Sequence, residues 1–185
     1  LRPRRQRQMC IRDRNKIING NKFIESYSLA KLKSFNPNIF NCCDKHRMYI
    51  EIIQNINKDI KEGAVFNETG IIGQVVNNKS FYEVMLLTDI KSSIPLTNSK
   101  GDFYCNASGS GASDYITCSY SQLVWLDNHE LGEKFFSSGL GGIYPKGIEI
   151  GNLESIKIVD TSTTLLTIKL MSNPLHSNLF GVIKL

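Results

Sequence analysis

The chain has 185 residues, 41% of them hydrophobic, without low-complexity segments, which excludes a disordered or fibrous protein and predicts one ordinary domain or two small ones. The formal net charge of +5 suggests a basic protein, but six of the 22 basic residues lie within residues 1–14. The body of the chain is balanced in charge, so we predict no nucleic-acid partner.

The N-terminal arm, residues 1–21, is interpreted as disordered or artefactual. Residues 4–14, RRQRQMCIRDR, look like the translation of a transposon-end adapter from sequencing libraries. A run of that origin carries no information about the fold, so the arm is set aside. No window of the chain approaches the length of apolar sequence that a membrane helix needs.

Alternation of apolar and polar residues at period two, bounded by Gly, Asn, Ser and Pro, predicts eleven β-strands and no long helix. In chain order these are Ser28–Phe35, His46–Gln54, Ala64–Asn67, Ile71–Val76, Tyr82–Thr88, Asp102–Ala107, Tyr115–Tyr120, Lys134–Ser137, Lys157–Asp160, Leu165–Met171 and Leu179–Leu185. The predicted class is all-β.

Several of these strands are apolar on both faces, as in residues 84–87, VMLL. Such strands suit the wall of a closed barrel that packs against a neighbour better than an open sheet with one solvated face. Short strands and tight turns fit two small barrels, which we place at residues 22–89 and 90–185. The sequence leaves open whether the C-terminal strands return to complete the first barrel.

Residues 137–151, SSGLGGIYPKGIEIG, hold five glycines and a proline between two β-like runs. Glycine in ordered structure is unfavourable unless the backbone needs a conformation that other residues avoid. Gly139, Gly141 and Gly142 therefore predict a tight corner with positive φ or close backbone approach. Gly147 and Gly151 are predicted to end a short strand.

This corner, residues 138–147 followed by Ile150 and Gly151, closely resembles the signature of the bacterial rod shape-determining MreC family. Residues 68–76, ETGIIGQVV, and residues 86–96, with LLTD and SIPL, resemble the family's two other landmarks in the same order. Three ordered blocks are much more specific than one glycine-rich loop. The resemblance covers about residues 28–185.

The resemblance implies two six-stranded β-barrels packed side by side. It also implies a non-enzymatic scaffold of the cell-wall elongation machinery, without cofactors, on the outer (periplasmic) face of the cytoplasmic membrane. Implied partners are a penicillin-binding transpeptidase, the membrane protein MreD and, through an N-terminal part absent here, the MreB filament system. Self-association is implied as well. Membrane anchoring would come only from a missing N-terminal helix, which makes this chain a truncated fragment.

Partner binding or a structural corner is assigned to eight residues, which are Ser138, Gly139, Leu140, Gly141, Gly142, Tyr144, Pro145 and Gly147. Tyr144 and Trp125 are the aromatic candidates for partner contact. Exposed barrel edges are a further route, because they permit strand addition.

Two other classes compete with a scaffold. His46, then Asp89 or Asp102, then Ser138 follow the order of a chymotrypsin-like double-barrel hydrolase, but neither Ser138 nor His46 lies in the motif of that family. An extracytoplasmic ligand-binding β-module is the second alternative.

The cysteines and histidines predict no metal site, because their spacing matches no ligand motif. Cys105 and Cys118 lie equidistant from the centre of a predicted hairpin and would face each other across it. Directly opposed strand residues are within disulfide range. The family's location permits such a bond, so we hypothesise a disulfide, with two free packed thiols as the alternative.

Overall fold

The structure, a computed structural model, describes residues 27–36, 45–54, 60–78, 81–122 and 129–184. Within these ranges the chain forms twelve strands and one turn of 3₁₀ helix at Leu140–Gly142. The strands are β1 (Ser28–Phe35), β2 (Arg47–Gln54), β3 (Gly63–Asn67), β4 (Gly70–Asn78), β5 (Tyr82–Leu86), β6 (Ser93–Asn98), β7 (Tyr104–Gly109), β8 (Tyr115–Ser121), β9 (Lys134–Ser137), β10 (Glu149–Ile158), β11 (Thr163–Leu170) and β12 (Leu179–Ile183). The predicted arm at residues 1–21 and Trp125 lie outside the described residues.

The strands close into two antiparallel barrels, which confirms the predicted all-β class and double-barrel architecture. The first barrel has the strand order β1-β12-β3-β4-β5-β2, and the second has the order β10-β11-β8-β7-β6-β9. Closure pairs every strand on both sides and removes edge strands. The expectation that exposed barrel edges accept an added strand is therefore wrong for this architecture.

The last strand belongs to the first barrel. β12 lies between β1 and β3, with Gly181 opposite Phe66 and Ser28 opposite Val182. A division into residues 22–89 and 90–185 would place this strand in the second barrel, so the C-terminal return that the sequence left open describes the topology better. Gly181 is required there because a Cβ would collide with the Phe66 ring.

Alternating side chains fill the barrel interiors. On β2, Met48 and Ile50 are fully buried, whereas Tyr49 between them is only partly buried, as the period-two pattern predicts. The four residues 84–87 are all buried, and Leu87 belongs to the apolar cluster that fills the second barrel. Ala64 and Ile71 of the first barrel join the same cluster. The two barrels thus share one continuous apolar contact.

The largest differences from the predicted strands are at β6 and β10. β6 was not among the predicted strands, and it contains Pro95, a residue that central strands disfavour. Its pairing with β9 begins only at Leu96, opposite Ser137, so the missing N–H of Pro95 lies beyond that ladder. β10 was predicted as two pieces, a short strand ended by Gly147 and Gly151 and a second strand at Lys157–Asp160, and the structure makes it one strand with Gly151 in its interior. It runs through Gly151, where a Cβ would lie 2.0 Å from the carbonyl oxygen of Lys169, so glycine permits a close strand pairing.

Candidate interaction site at the junction of the barrels

The glycine corner connects β9 to β10 and carries the strongest sequence signal. Four of its glycines have positive φ, with values of 79° at Gly139, 80° at Gly141, 67° at Gly142 and 83° at Gly147. L-amino acids with a side chain avoid this region. The predicted positive φ is confirmed for the first three residues, while Gly147 makes a turn before β10 rather than ending a strand.

The four glycines differ in how much space an added Cβ would have. At Gly139 an added Cβ would lie 2.8 Å from the Cβ of Lys146, so two parts of the corner are in close contact there. At Gly141, Gly142 and Gly147 an added Cβ would meet nothing within 4 Å. These three glycines are therefore needed for backbone conformation, and their outer face is open surface.

Two buried serines hold the corner in place. The Ser137 hydroxyl donates to the carbonyl of Pro145 and accepts from the amide of Ile148 at 3.0 Å. The Ser138 hydroxyl donates to the carbonyl of Pro95 on β6 at 3.1 Å and accepts from the Leu140 amide at 3.3 Å. Both serines thus satisfy backbone groups of the turn.

The hydrolase constellation is not assembled. His46 lies immediately before β2 of the first barrel, and its Nδ1 is 2.7 Å from Thr88 Oγ1. Ser138 lies in the second barrel, with its hydroxyl engaged by backbone groups. Asp102 accepts from Asn98 and does not orient a histidine. A nucleophilic serine needs a base within hydrogen-bond reach, and the described contacts of Ser138 include none.

Tyr144 connects the corner to the other barrel. Its side chain is 1% exposed, and its hydroxyl donates to Gln74 Oε1 on β4 at 3.0 Å. Burial of the ring raises the pKa of the Tyr144 hydroxyl well above its ordinary value. Of the two roles assigned to Tyr144, partner binding or part of a structural corner, its enclosure between the barrels favours the structural one.

Asp89 forms a second connection in the linker between β5 and β6. Its carboxylate is fully buried and accepts from the amide of His46 at 3.0 Å, from Nε of Arg47 at 2.8 Å and from the amide of Lys91 at 2.9 Å. Arg47 also pairs with Glu83 at 3.6 Å. A buried carboxylate with this many donors holds the linker to the first barrel. The sequence indicated Asp89 as a domain boundary, as part of a family landmark and as a hydrolase candidate, but not as this buried connection.

The linker also touches the second barrel. The Gly111 amide donates to the carbonyl of Thr88 at 3.1 Å. At Gly109 a Cβ would lie 2.0 Å from the carbonyl oxygen of Asp89, so the backbone of β7 packs directly on the linker. Residues 88–89 are therefore held from both sides.

His46 lies at the same connection, where it contacts both Thr88 and Asp89. It is 1% exposed, and its Nε2 has no hydrogen-bond partner among the described atoms. Desolvation lowers the pKa of His46, and the nearby Asp89 carboxylate opposes that effect in part. The residue is therefore most compatible with the junction in its neutral form.

Cys105 and Cys118 are joined by a disulfide whose Cα atoms lie 6.2 Å apart. The strand register differs from the predicted one, because Cys118 lies opposite Ala107 and not opposite Cys105. The two cysteines are diagonal neighbours on the inner face of adjacent strands, still within reach of a disulfide. The bridge ties β7 to β8 inside the second barrel.

The exposed part of the corner is small. Leu140 is 58% exposed, and Gly141, Gly142 and Gly147 are exposed, whereas Pro145 is half-buried. Across the residues that the structure covers, no group of three or more His, Cys, Asp or Glu side chains forms a metal-binding cluster. No helix in the described ranges has the length and apolar character to cross a bilayer.

Comparison with known proteins identifies the family. The sequence profile of "Rod shape-determining protein MreC, barrel core" matches residues 41–184. The chain belongs to the MreC family. The matched range contains both buried connections between the barrels and the whole glycine corner.

Curated relatives agree with this assignment. The chain is 33% identical over 107 residues to the cell shape-determining protein MreC of Haemophilus influenzae, covering 55% of this chain and 30% of that protein. It is 25% identical over 131 residues to MreC of Escherichia coli, covering 62% of this chain and 35% of the relative. The chain thus spans about a third of the length of the curated relatives it matches.

Solved structures share the fold. A structure titled MreC matches with a TM-score of 0.78 and 19% identity, covering 95% of this chain and 98% of that one. A complex between penicillin-binding protein PBP2 and MreC from Helicobacter pylori matches with a TM-score of 0.61 and 18% identity, covering 85% and 96%. A structure titled the major periplasmic domain of the cell shape-determining filament MreC matches with a TM-score of 0.65 and 18% identity, covering 85% and 94%.

Proposed function

We propose that this MreC-family chain is a non-enzymatic scaffold of the bacterial cell-wall elongation machinery. It helps to maintain cell shape by binding a penicillin-binding transpeptidase and other morphogenesis proteins through its barrel surfaces. The family match over residues 41–184 is the observation that carries this proposal. The complex of a structural neighbour with PBP2 supports the transpeptidase as a partner.

Hydrogen bonds between the two barrels, and between the linker and the first barrel, support a scaffold role. Tyr144 connects the second barrel to Gln74, and Asp89 holds the interbarrel linker against Arg47. Two barrels joined at both places present their surfaces in a fixed relation, so a partner that contacts both barrels loses less conformational freedom on binding. The buried motifs of the sequence therefore serve the platform, and partners bind on its outside.

The proposal extends to location and to other partners. We place the barrels on the outer, periplasmic face of the cytoplasmic membrane, with support from the neighbour titled a periplasmic domain. We also propose MreD as a partner, and the MreB system, reached through an N-terminal segment, as another. Both proposals rest on the resemblance of the three sequence blocks to the landmarks of the MreC family. Self-association is proposed with support from the same neighbour, whose title describes a filament.

A complementation experiment tests the scaffold role. Rod-shaped cells depleted of their own MreC are given this chain fused to an exported membrane-anchoring helix, with the anchor alone as control. We expect restored rod shape and co-purification of the transpeptidase with the fusion. Round cells despite normal amounts of exported fusion would refute the proposal.

A fluorophosphonate probe separates the scaffold from the hydrolase alternative. We expect no labelling of Ser138, because its hydroxyl donates to the carbonyl of Pro95 and no base is in contact with it. Labelling of the parent chain that disappears in Ser138→Ala would favour a hydrolase.

A further inference from the structure

A cavity of about 240 Å³ lies between the two barrels, on the side of the β7–β8 turn. Ile72 and Leu86 of the first barrel and Leu170 of the second line it with apolar side chains. Ser113, Asp114 and Asn173 stand among the polar residues that line it. The cavity is therefore an apolar space with polar groups beside it, built by both barrels together.

The volume suits one large side chain. An apolar cavity of about 150 Å³ is enough to bind a benzene molecule, whereas drug-sized ligands occupy pockets of roughly 300–1,000 Å³. A space of about 240 Å³ thus has room for a phenylalanine, tyrosine or leucine side chain. Residues that dominate protein–protein binding are often aromatic side chains buried in a pocket of the partner.

Asp114 adds a charge requirement. It is exposed, has a φ of 69°, and its carbonyl accepts from the Leu170 amide at 2.8 Å. Within the described ranges no basic group pairs with the Asp114 carboxylate. A positive φ is uncommon for a residue with a side chain, and the bond to Leu170 fixes this turn beside the cavity. An occupant with a Lys or Arg next to its anchor would complement this carboxylate.

The neighbouring loop of the chain does not fill the cavity. Leu175 lines the cavity but remains 46% exposed, and the adjacent Met171 is 47% exposed. Two half-exposed apolar side chains beside an apolar cavity extend the surface that an occupant would cover. Such clustered exposed apolar groups are typical of interaction sites on otherwise polar surfaces.

We propose that this interbarrel cavity is the docking site for an extended segment of the penicillin-binding transpeptidase. The segment inserts one aromatic or leucine side chain against Ile72, Leu86 and Leu170, and an adjacent basic residue pairs with Asp114. The inference rests on the proposed function for the partner and adds the place and chemistry of binding. Because both barrels line the cavity, the segment binds only when the two barrels keep their relative position.

The test measures binding of the parent chain and four variants to the purified extracytoplasmic part of the transpeptidase from the same organism. Ser113→Trp blocks the mouth of the cavity, and Ala112→Trp places the same bulk on an exposed position of that turn outside the lining. Asp114→Asn removes the charge while asparagine still tolerates positive φ. Glu154→Gln removes an equal charge from an exposed position of β10.

Ser113→Trp is expected to weaken binding about tenfold or more, and Asp114→Asn about threefold to tenfold with a weaker salt dependence. The two control variants are expected to bind like the parent, and melting curves verify that all four are folded. If the parent binds but Ser113→Trp binds equally well, the cavity is not the site and the proposed function stands. If the parent does not bind, the transpeptidase proposal fails and this inference fails with it.

Discussion

The buried carboxylate of Asp89 offers the sharpest test of how the junction is held. In Asp89→Ala three donors lose their acceptor, namely the amide of His46 at 3.0 Å, Nε of Arg47 at 2.8 Å and the amide of Lys91 at 2.9 Å. Asp89 is fully buried, so the donors around its carboxylate lie away from bulk solvent. The substitution therefore leaves unpaired polar groups inside the junction.

The magnitude follows from these contacts. Removing one partner of a buried ion pair costs about 3–5 kcal/mol, because the other charge stays buried without compensation. The Arg47 side chain is 12% exposed and still reaches Glu83 at 3.6 Å, so part of its charge remains compensated. We therefore expect Asp89→Ala to lower the free energy of unfolding by about 3 kcal/mol. Asp89→Asn keeps one acceptor oxygen and should lose about half of that.

Urea denaturation, monitored by circular dichroism, measures the loss in free energy of unfolding for Asp89→Ala and Asp89→Asn. Glu154→Ala, at an exposed position of β10, is the matched control and should change the free energy of unfolding by less than about 0.5 kcal/mol. A decrease in the free energy of unfolding below about 1 kcal/mol for Asp89→Ala would refute the reasoning, because even one unsatisfied buried donor is expected to cost about 1–3 kcal/mol. Equal losses for Asp89→Ala and Asp89→Asn would instead assign the effect to charge alone.

Three further predictions concern the corner, the histidine and the disulfide. Gly141→Val is expected to lower the free energy of unfolding by about 1–3 kcal/mol in chemical denaturation, and Gly141→Asn clearly less, because φ is 80° at this position and asparagine tolerates positive φ. An added Cβ meets nothing within 4 Å there, so equal effects of the two variants would contradict a conformational role. Burial lowers the pKa of His46 below its ordinary value of about 6.5, so on acidification the unfolded chain binds a proton before the folded one does. The free energy of unfolding is therefore expected to fall as the pH drops from about 6.5 towards 5. His46→Gln should reduce this pH dependence, and an unchanged dependence would exclude His46 as its source. In exported, unreduced protein we expect Cys105 and Cys118 to resist alkylation, and two alkylatable thiols would contradict the disulfide. Reduction of the disulfide is expected to lower the free energy of unfolding by about 2–4 kcal/mol.

The predictable part of the fold depended on local pattern. β1 was predicted with both of its ends. On β2, Met48 and Ile50 face the core because side chains alternate at period two along a strand. β6 was not predicted, and its Pro95 is a strong local signal against a strand. Only its place beside β9, where pairing starts one residue later, makes the proline acceptable.

The candidate site was predictable in its backbone but not in its contacts. The glycine spacing indicated positive φ at Gly139, Gly141 and Gly142, since that requirement is local. The burial of Tyr144 depends on where Gln74 lies, 70 residues away in sequence, which no local pattern reports. The diagonal register of Cys105 and Cys118 depends likewise on how the whole hairpin pairs, so symmetry about the turn predicted it wrongly.

The amino-acid sequence by itself determined the all-β class, most strand positions, the turn conformations and the family resemblance, because each depends on neighbouring residues and short motifs. Tertiary structure alone decided that β12 closes the first barrel, that Tyr144 and Asp89 connect the barrels, and that a cavity opens between them. Those features depend on pairing and packing between residues far apart in the chain. Such contacts are selected by the geometry of barrel closure and not by the local preference of any segment.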